Sequence, residues 1–204
     1  MRSFVRFAGG VGLALAVGGC SLGGLLGGGG KSPAYLLTLT PEVADPGPMS
    51  RSAAAGQAIT INAPVLPKEL QSVRVPAQVT PTAVQYVTDL TMVDTPDRLF
   101  ENLLAETIRR TTNRVVLDTG ATTLDPGLVV GGQLQHFGYN AQTGQVVVEF
   151  DGAISTRDGT QVRTRRFVAQ QPADGTAATV GPALNRAANQ VATEAAQWIG
   201  GTSL

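Results

Sequence analysis

Three runs of alternating apolar and polar residues constrain this chain more than anything else in it: "LVVGGQLQHFGYN" (128–140), "QVVVEFDGAIST" (145–156) and "QVRTRRFVAQ" (161–170). A period of two predicts strands, and the short polar breaks between the runs predict an antiparallel meander. The first break carries Thr143 and Gly144. The second carries Asp158-Gly159, a two-residue hairpin signal in which both central residues adopt positive φ. That turn sets Arg157 against Thr160, Asp151 against Arg166 and Phe150 against Phe167, giving an ion pair and an aromatic pair across the strands.

Such a sheet needs an apolar cover. From Thr95 the period lengthens: Thr95 suits an N-cap, Pro96 the first helical turn and Asp97 its dipole, and Leu99, Phe100, Leu103, Leu104 and Ile108 make an apolar stripe. Arg109, Arg110 and Arg114 lie near the C-terminal end, where cations are favoured. A second helix starts between Ala177 and Pro182 and ends before Gly200, with Val180, Leu184, Ala187, Val191, Ala195 and Trp198 on one side. Its alanines imply close approach to the sheet. Ahead of the first helix, "AYLLTL" reads as a short strand and "AITINAPVLP" alternates through Ile59 and Ile61. "QSVRVPAQ" reads as a short strand ending at Pro76, which suits an edge or a strand end, and "AVQYVTDLTMV" alternates through Val84, Tyr86, Leu90 and Met92. The expected class is α+β: a mixed, largely antiparallel sheet with a meander in its C-terminal half, covered on one face by two helices.

The N-terminus has a different logic. Arg2 and Arg6 precede an apolar or small run from Phe7 to Val17, and Val17-Gly18-Gly19 leads into Cys20, the one cysteine of the 204 residues. This is the pattern of a secretion signal, and its apolar part falls short of the roughly 20 residues a membrane-crossing helix needs. A lone cysteine makes no internal disulfide, which leaves a buried thiol, a nucleophile or a modification site. The Val-Gly-Gly-Cys sequence resembles a bacterial lipobox. On that reading residues 1–19 are a signal peptide, and Cys20 becomes the first mature residue, bearing S-diacylglycerol and an N-acyl group. The other reading is an ordinary cleaved signal followed by a stray cysteine. Several acyl chains hold a bilayer where one is marginal, each buried methylene contributing about 0.8 kcal/mol. Residues 20–33, glycine-rich and without a period, read as a tether spanning about 20 Å. A single domain follows over 34–200. Ser21 follows the cysteine where Asp would mark retention in enterobacterial lipoproteins, so the expected site is the outer membrane, facing the periplasm.

The inventory of reactive groups argues against catalysis. With 15 basic and 15 acidic residues there is no net charge, hence no electrostatic reason to seek nucleic acid, and loss of Arg2 and Arg6 leaves the remainder mildly acidic. His136, the one histidine, sits on a strand in phase with Val146, Val148 and Phe150 if Gly144 takes a left-handed bulge position, and reads as a core or edge residue. One histidine, and a cysteine committed to lipid, leave nothing for a thiolate or imidazole metal site. Glu149 and Asp151 share a strand face at a spacing that a divalent ion or an acid pair could use, but Arg166 and Arg163 are close enough to neutralise them. The glycine runs lack the Gly-Lys-Ser/Thr ending of a phosphate loop, so no nucleotide cofactor is expected. For binding, Phe137 and Tyr139, which Val147 can join, point together on one face of the first meander strand: two aromatics so placed are usually core, but if the helices cover the opposite face they form an exposed patch for self-association or a partner. Arg163 and Arg165, with Arg157 and Arg166, cluster at the hairpin, either as a solvated turn or as a contact for an acidic partner or lipid headgroup.

The order of lipobox, "YLLTL", "ITINAPVLPKEL", "TPDRLFENLLAETI", the hairpins and "ALNRAANQVATEAAQWI", over Tyr35 to Ile199, resembles the ABC-type transport auxiliary lipoprotein family, the PqiC-like group. The resemblance implies a periplasmic module without enzymatic activity. Its partners would be an Mce-type substrate-binding protein, a permease and an ATPase that move lipid between the envelope membranes. A structural or assembly-chaperone lipoprotein without lipid cargo is the alternative. If the N-terminal reading holds, intact mass of membrane-extracted protein will show residues 1–19 absent and Cys20 acylated. A free sulfhydryl at Cys20, or another mature N-terminus, would contradict it.

Overall fold

A computed structural model describes residues 35–54, 56–117 and 127–202; Cys20, with the expected signal peptide and tether, lies outside the described residues. The elements run β1 (Ile59–Ile61), β2 (Arg74–Thr80), β3 (Ala83–Thr91), α1 (Pro96–Thr111), β4 (Val116–Leu117), β5 (Leu128–Asn140), β6 (Gln145–Thr156), β7 (Val162–Pro172) and α2 (Ala177–Gly200). The fold is α+β, with a 7-stranded mixed sheet.

The meander forms as its alternation requires. β5, β6 and β7 pair antiparallel in order, and Phe150 faces Phe167 and Asp151 faces Arg166, as expected. The turn between β6 and β7 differs from the expected one. Gly159 has φ of 71° but Asp158 does not enter positive φ, and the Gly159 amide bonds back to the Thr156 carbonyl at 2.9 Å. Asp158 stabilises this turn through its side chain, which accepts from the Thr156 hydroxyl at 2.6 Å and the Thr160 amide at 3.1 Å, so left-handed backbone is needed at the glycine alone.

The other edge of β5 is shared. β1 runs parallel to its start (Ile59↔Leu128, Ile61↔Val130), Val65 bridges Gln133, and β2 runs parallel to its end (Ala77↔Tyr139, Gln78↔Asn140). β4 lies outside β1, and β3 outside β2. β2 is thus an inner strand, and Pro76 lies within it where an edge or a strand end was expected. The irregularity is accommodated locally: the register with β3 shifts between Arg74 and Pro76, and pairing to β5 starts only at Ala77, so the missing N–H breaks no bond to that neighbour.

β3 also departs from simple alternation. Asp89 has φ of 57°, and the phase flips there, so Val87 is buried with Leu90 and Met92 while Val84 and Tyr86 face outward. The Arg74 guanidinium lies over the Tyr86 ring, 4.1 Å from its centroid.

Both helices pack on one face. α1 buries Leu99, Phe100, Leu103, Leu104 and Ile108, as its stripe predicts, and the Thr95 side chain makes no capping bond to it. α2 presents Ala183, Ala187, Ala188, Ala192, Ala195 and Ala196, all buried. These small side chains bring it close to β6 and β7, and Trp198 closes the far end, its ring 5.6 Å from that of Phe167. Phe100 reaches Phe150 at 5.0 Å between centroids, joining α1 to the sheet. Asp174 organises the start of α2, accepting from the Thr176 amide and from the hydroxyls of Thr176 and Thr179, and these bonds hold its carboxyl at about 2. No helix among the described residues is long and apolar enough to cross a membrane.

The "AYLLTL" segment is not a strand. It makes a single bridge, Leu37↔Met92, because its next backbone groups are claimed by α2. Asn189, 4% exposed, accepts from the Glu42 amide at 2.7 Å and donates to the Thr40 carbonyl at 2.9 Å. Asn185 accepts from the Thr40 amide at 2.9 Å. One turn apart on the helix, the two asparagines do for this segment what a neighbouring strand would do. Replacing Asn189 with Ala leaves these groups unpaired and should cost about 1–3 kcal/mol, read as a lowered urea midpoint with unchanged slope.

Candidate functional site

The face of the sheet away from the helices is shaped by one bulge. The β5–β6 register shifts between Leu134 and His136: Leu134 faces Phe150, His136 faces Glu149, and Gln135 is the extra residue. The strand then changes phase. Phe137 pairs with Val148 and is 1% exposed, and Tyr139 pairs with Val146 and packs against the core. The expected exposed aromatic patch therefore does not exist: Phe137 and Tyr139 lie on the helix side, because an added residue turns every later side chain over. His136 is corrected in the same way. It is out of phase with Val146, Val148 and Phe150, and its side chain is 62% exposed on the open face, Nδ1 3.3 Å from Glu149 Oε2.

An ordered charge network crosses this face. Arg166 Nε and Nη2 donate to Asp151 Oδ1 and Oδ2 at 2.6 and 2.7 Å, and Nη1 lies 3.1 Å from Glu149 Oε1. Gln135 adds a donor to Asp151 Oδ2 at 3.1 Å. The forked guanidinium is the main reason the Asp151 carboxyl is held below its ordinary value; burial opposes the shift and Gln135 reinforces it. The same bond raises Arg166. Of the two arginines expected to neutralise Glu149 and Asp151, only Arg166 pairs with them, one cation against two carboxylates. Arg163 stands opposite Ile154 and Arg165 opposite Gly152, a register that places both on the helix side, where the Arg165 guanidinium lies 5.2 Å from the Phe167 ring centroid. Both are exposed.

Beside this network is a groove of about 340 Å³. Its floor is Gly138: a Cβ there would lie 2.4 Å from the Pro76 carbonyl oxygen, so the missing side chain lets β2 close on β5. Val84, 43% exposed, and Val147 give it apolar walls, and Gln78, His136 and Glu69 give it a polar rim. A shallow depression with apolar walls and a rim able to hydrogen-bond suits binding of a segment of another molecule. Among the described residues no group of three or more His, Cys, Asp or Glu could hold a metal ion. Gly138 was not singled out in the sequence, although a glycine inside an alternating run is a signal for close backbone approach. The bulge that brings His136 and Gln135 together on this face left no comparable signal.

The model of the family described as ABC-type transport auxiliary lipoprotein component matches residues 35–196. No curated protein matches the chain in sequence. The crystal structure of a Xanthomonas campestris protein of the DUF330 family superposes with a TM-score of 0.65 at 15% identity, covering 81% of this chain and 94% of that one. A second crystal structure, of an uncharacterized protein, superposes with a TM-score of 0.58 at 13% identity, covering 74% and 96%. At these identities the likeness is one of fold.

The Asp151–Arg166 pair has a defined acid signature. Because the folded carboxyl is depressed, its stabilising contribution is complete above the unfolded value of about 3.9 and is lost as pH falls through the lower folded value. Arg166→Gln should return the Asp151 carboxyl toward its ordinary titration, followed by carboxyl NMR, and flatten the loss of stability below about pH 4. An unmoved Asp151 titration in the variant would show that the guanidinium does not set it.

Proposed function

This chain belongs to the ABC-type transport auxiliary lipoprotein component family, and from that premise we propose that it is a non-catalytic accessory of an Mce-type ABC lipid transport system. In this reading Cys20 carries the acyl anchor, the domain faces the periplasm from the outer membrane, and it assembles with the substrate-binding and permease components. Nucleotide hydrolysis belongs to the ATPase of that system.

The observation that carries the proposal is the open sheet face. Two helices cover one side of the sheet; the other holds the Gly138 groove and a charge network in which Arg166 is already paired with both Glu149 and Asp151. Docking there buries Val84 and Val147 without stranding the two carboxylates, which stay paired within the chain. Arg163 and Arg165, on the helix side, are available as a separate contact for an acidic surface.

Val84→Arg places a long cation in the groove wall on an exposed strand position and should leave thermal unfolding near that of the unaltered protein. Full-length protein cross-linked in intact cells and captured from membranes should bring permease, ATPase and Mce-type components with it, and the variant should lose them. Undiminished capture by Val84→Arg would remove the groove from the assembly. Capture of envelope-assembly proteins in place of transporter components would favour the chaperone reading.

A further inference from the structure

The chain between Cys20 and Tyr35 meets the domain beside a cluster of exposed apolar side chains. Leu37 donates its amide to the Thr91 carbonyl at 2.8 Å and accepts from the Val93 amide at 2.9 Å, and the Met92 amide donates to the Val73 carbonyl at 2.7 Å. These bonds set Leu36–Leu37, Met92–Val93 and Val73 side by side. Leu37 packs against the core and Met92 is buried, so by alternation their neighbours Leu36 and Val93 project outward. Leu36 is 51% exposed, Val93 49%, Val73 37% and Tyr35 54%. Among the described residues the remaining exposed large apolar ones are Met49, Val65, Val84, Val162 and Val168, none of them in this cluster.

We propose that the cluster of Tyr35, Leu36, Val73 and Val93 rests on the lipid bilayer in which the chain's own anchor is embedded. The inference depends on acylation of Cys20. Only the 15 residues from Cys20 to Ala34 separate the anchor from Tyr35, so the surface next to Tyr35 has the highest effective concentration at the bilayer of any part of the domain. Single exposed valines or leucines need no explanation, but neighbouring apolar side chains at the point of attachment bury their surface in the interface at little further entropic cost. Seating this edge on the membrane fixes the orientation of a domain that the tether alone would leave free to turn. It also holds β7, at the far edge of the sheet, away from the bilayer.

The acylated cysteine makes the test direct, because an introduced thiol is then the sole free one in the chain. Full-length Val93→Cys, and Val168→Cys on β7 as a control, are labelled with an environment-sensitive fluorophore. Each is reconstituted by its own anchor into phosphatidylethanolamine–phosphatidylglycerol vesicles containing doxyl-labelled lipid. The proposal expects blue-shifted emission and loss of intensity by doxyl quenching at position 93, with neither at 168. Protein that floats with the vesicles but shows no quenching at 93, or equal quenching at both positions, overturns it, the first result pointing to a protein partner for the cluster. Should Val93→Cys fold poorly, Leu36→Cys gives the same readout. Label recovered at Cys20, with protein that does not float, refutes the anchor itself and is told apart from the other outcomes by flotation.

Discussion

β5 is the strand on which the sheet depends, because its two edges are used differently. Along one, β6 pairs antiparallel for the length of the strand; along the other, β1, Val65 and β2 take successive stretches in parallel. A parallel neighbour cannot be reached by a tight turn, so the chain must leave the sheet and return, and α1 lies on one such excursion. The bulge at Gln135 then decides which residues of β5 meet the helices. Before it Leu128, Val130 and Leu134 are buried; after it Phe137 is. Without that one extra residue the second half of the strand would turn Gly138 inward and Phe137 into solvent, and the core and the groove would both be lost.

The parts of the fold that could be read directly were those in which local pattern and tertiary role coincide. The meander register followed from chain symmetry about 158–159, and it survived an error in the turn type because a turn centred on Arg157 and Asp158 preserves the same pairing. The α1 stripe and the alanine face of α2 were equally plain, since helix burial is set by period alone. Misreadings arose where one residue changes the phase. Asp89 and Gln135 each reverse inside and outside for the residues beyond them, and neither side chain differs in chemistry from an ordinary strand residue. Thr40 and Glu42 show a related failure: their backbone partners are Asn185 and Asn189, far along the chain, and two asparagines on an alanine-rich helix give no indication of which segment they hold.

The two faces of the sheet divide the work of the domain. On the helix side, stability comes from small side chains that admit close contact and from the aromatic series Phe100, Phe150, Phe167 and Trp198, each ring centroid within 6.3 Å of the next. The open face carries charge, but in a paired form, with one guanidinium shared between two carboxylates. A surface built this way can be desolvated by a partner more readily than one with isolated charges.

The attachment of the N-terminal segment also has a mechanical meaning. Tension along the chain ahead of Tyr35 reaches the domain through the Leu37 bridge and then the asparagine clamp on α2. The β2–β3 ribbon, by contrast, joins β5 through only the pairs Ala77↔Tyr139 and Gln78↔Asn140. Force is therefore divided between a helix anchored across the whole sheet and a ribbon seamed to it by a few bonds. By backbone pairing alone, the ribbon's seam is the more compliant part of the sheet, and the meander with its helices the stiffer.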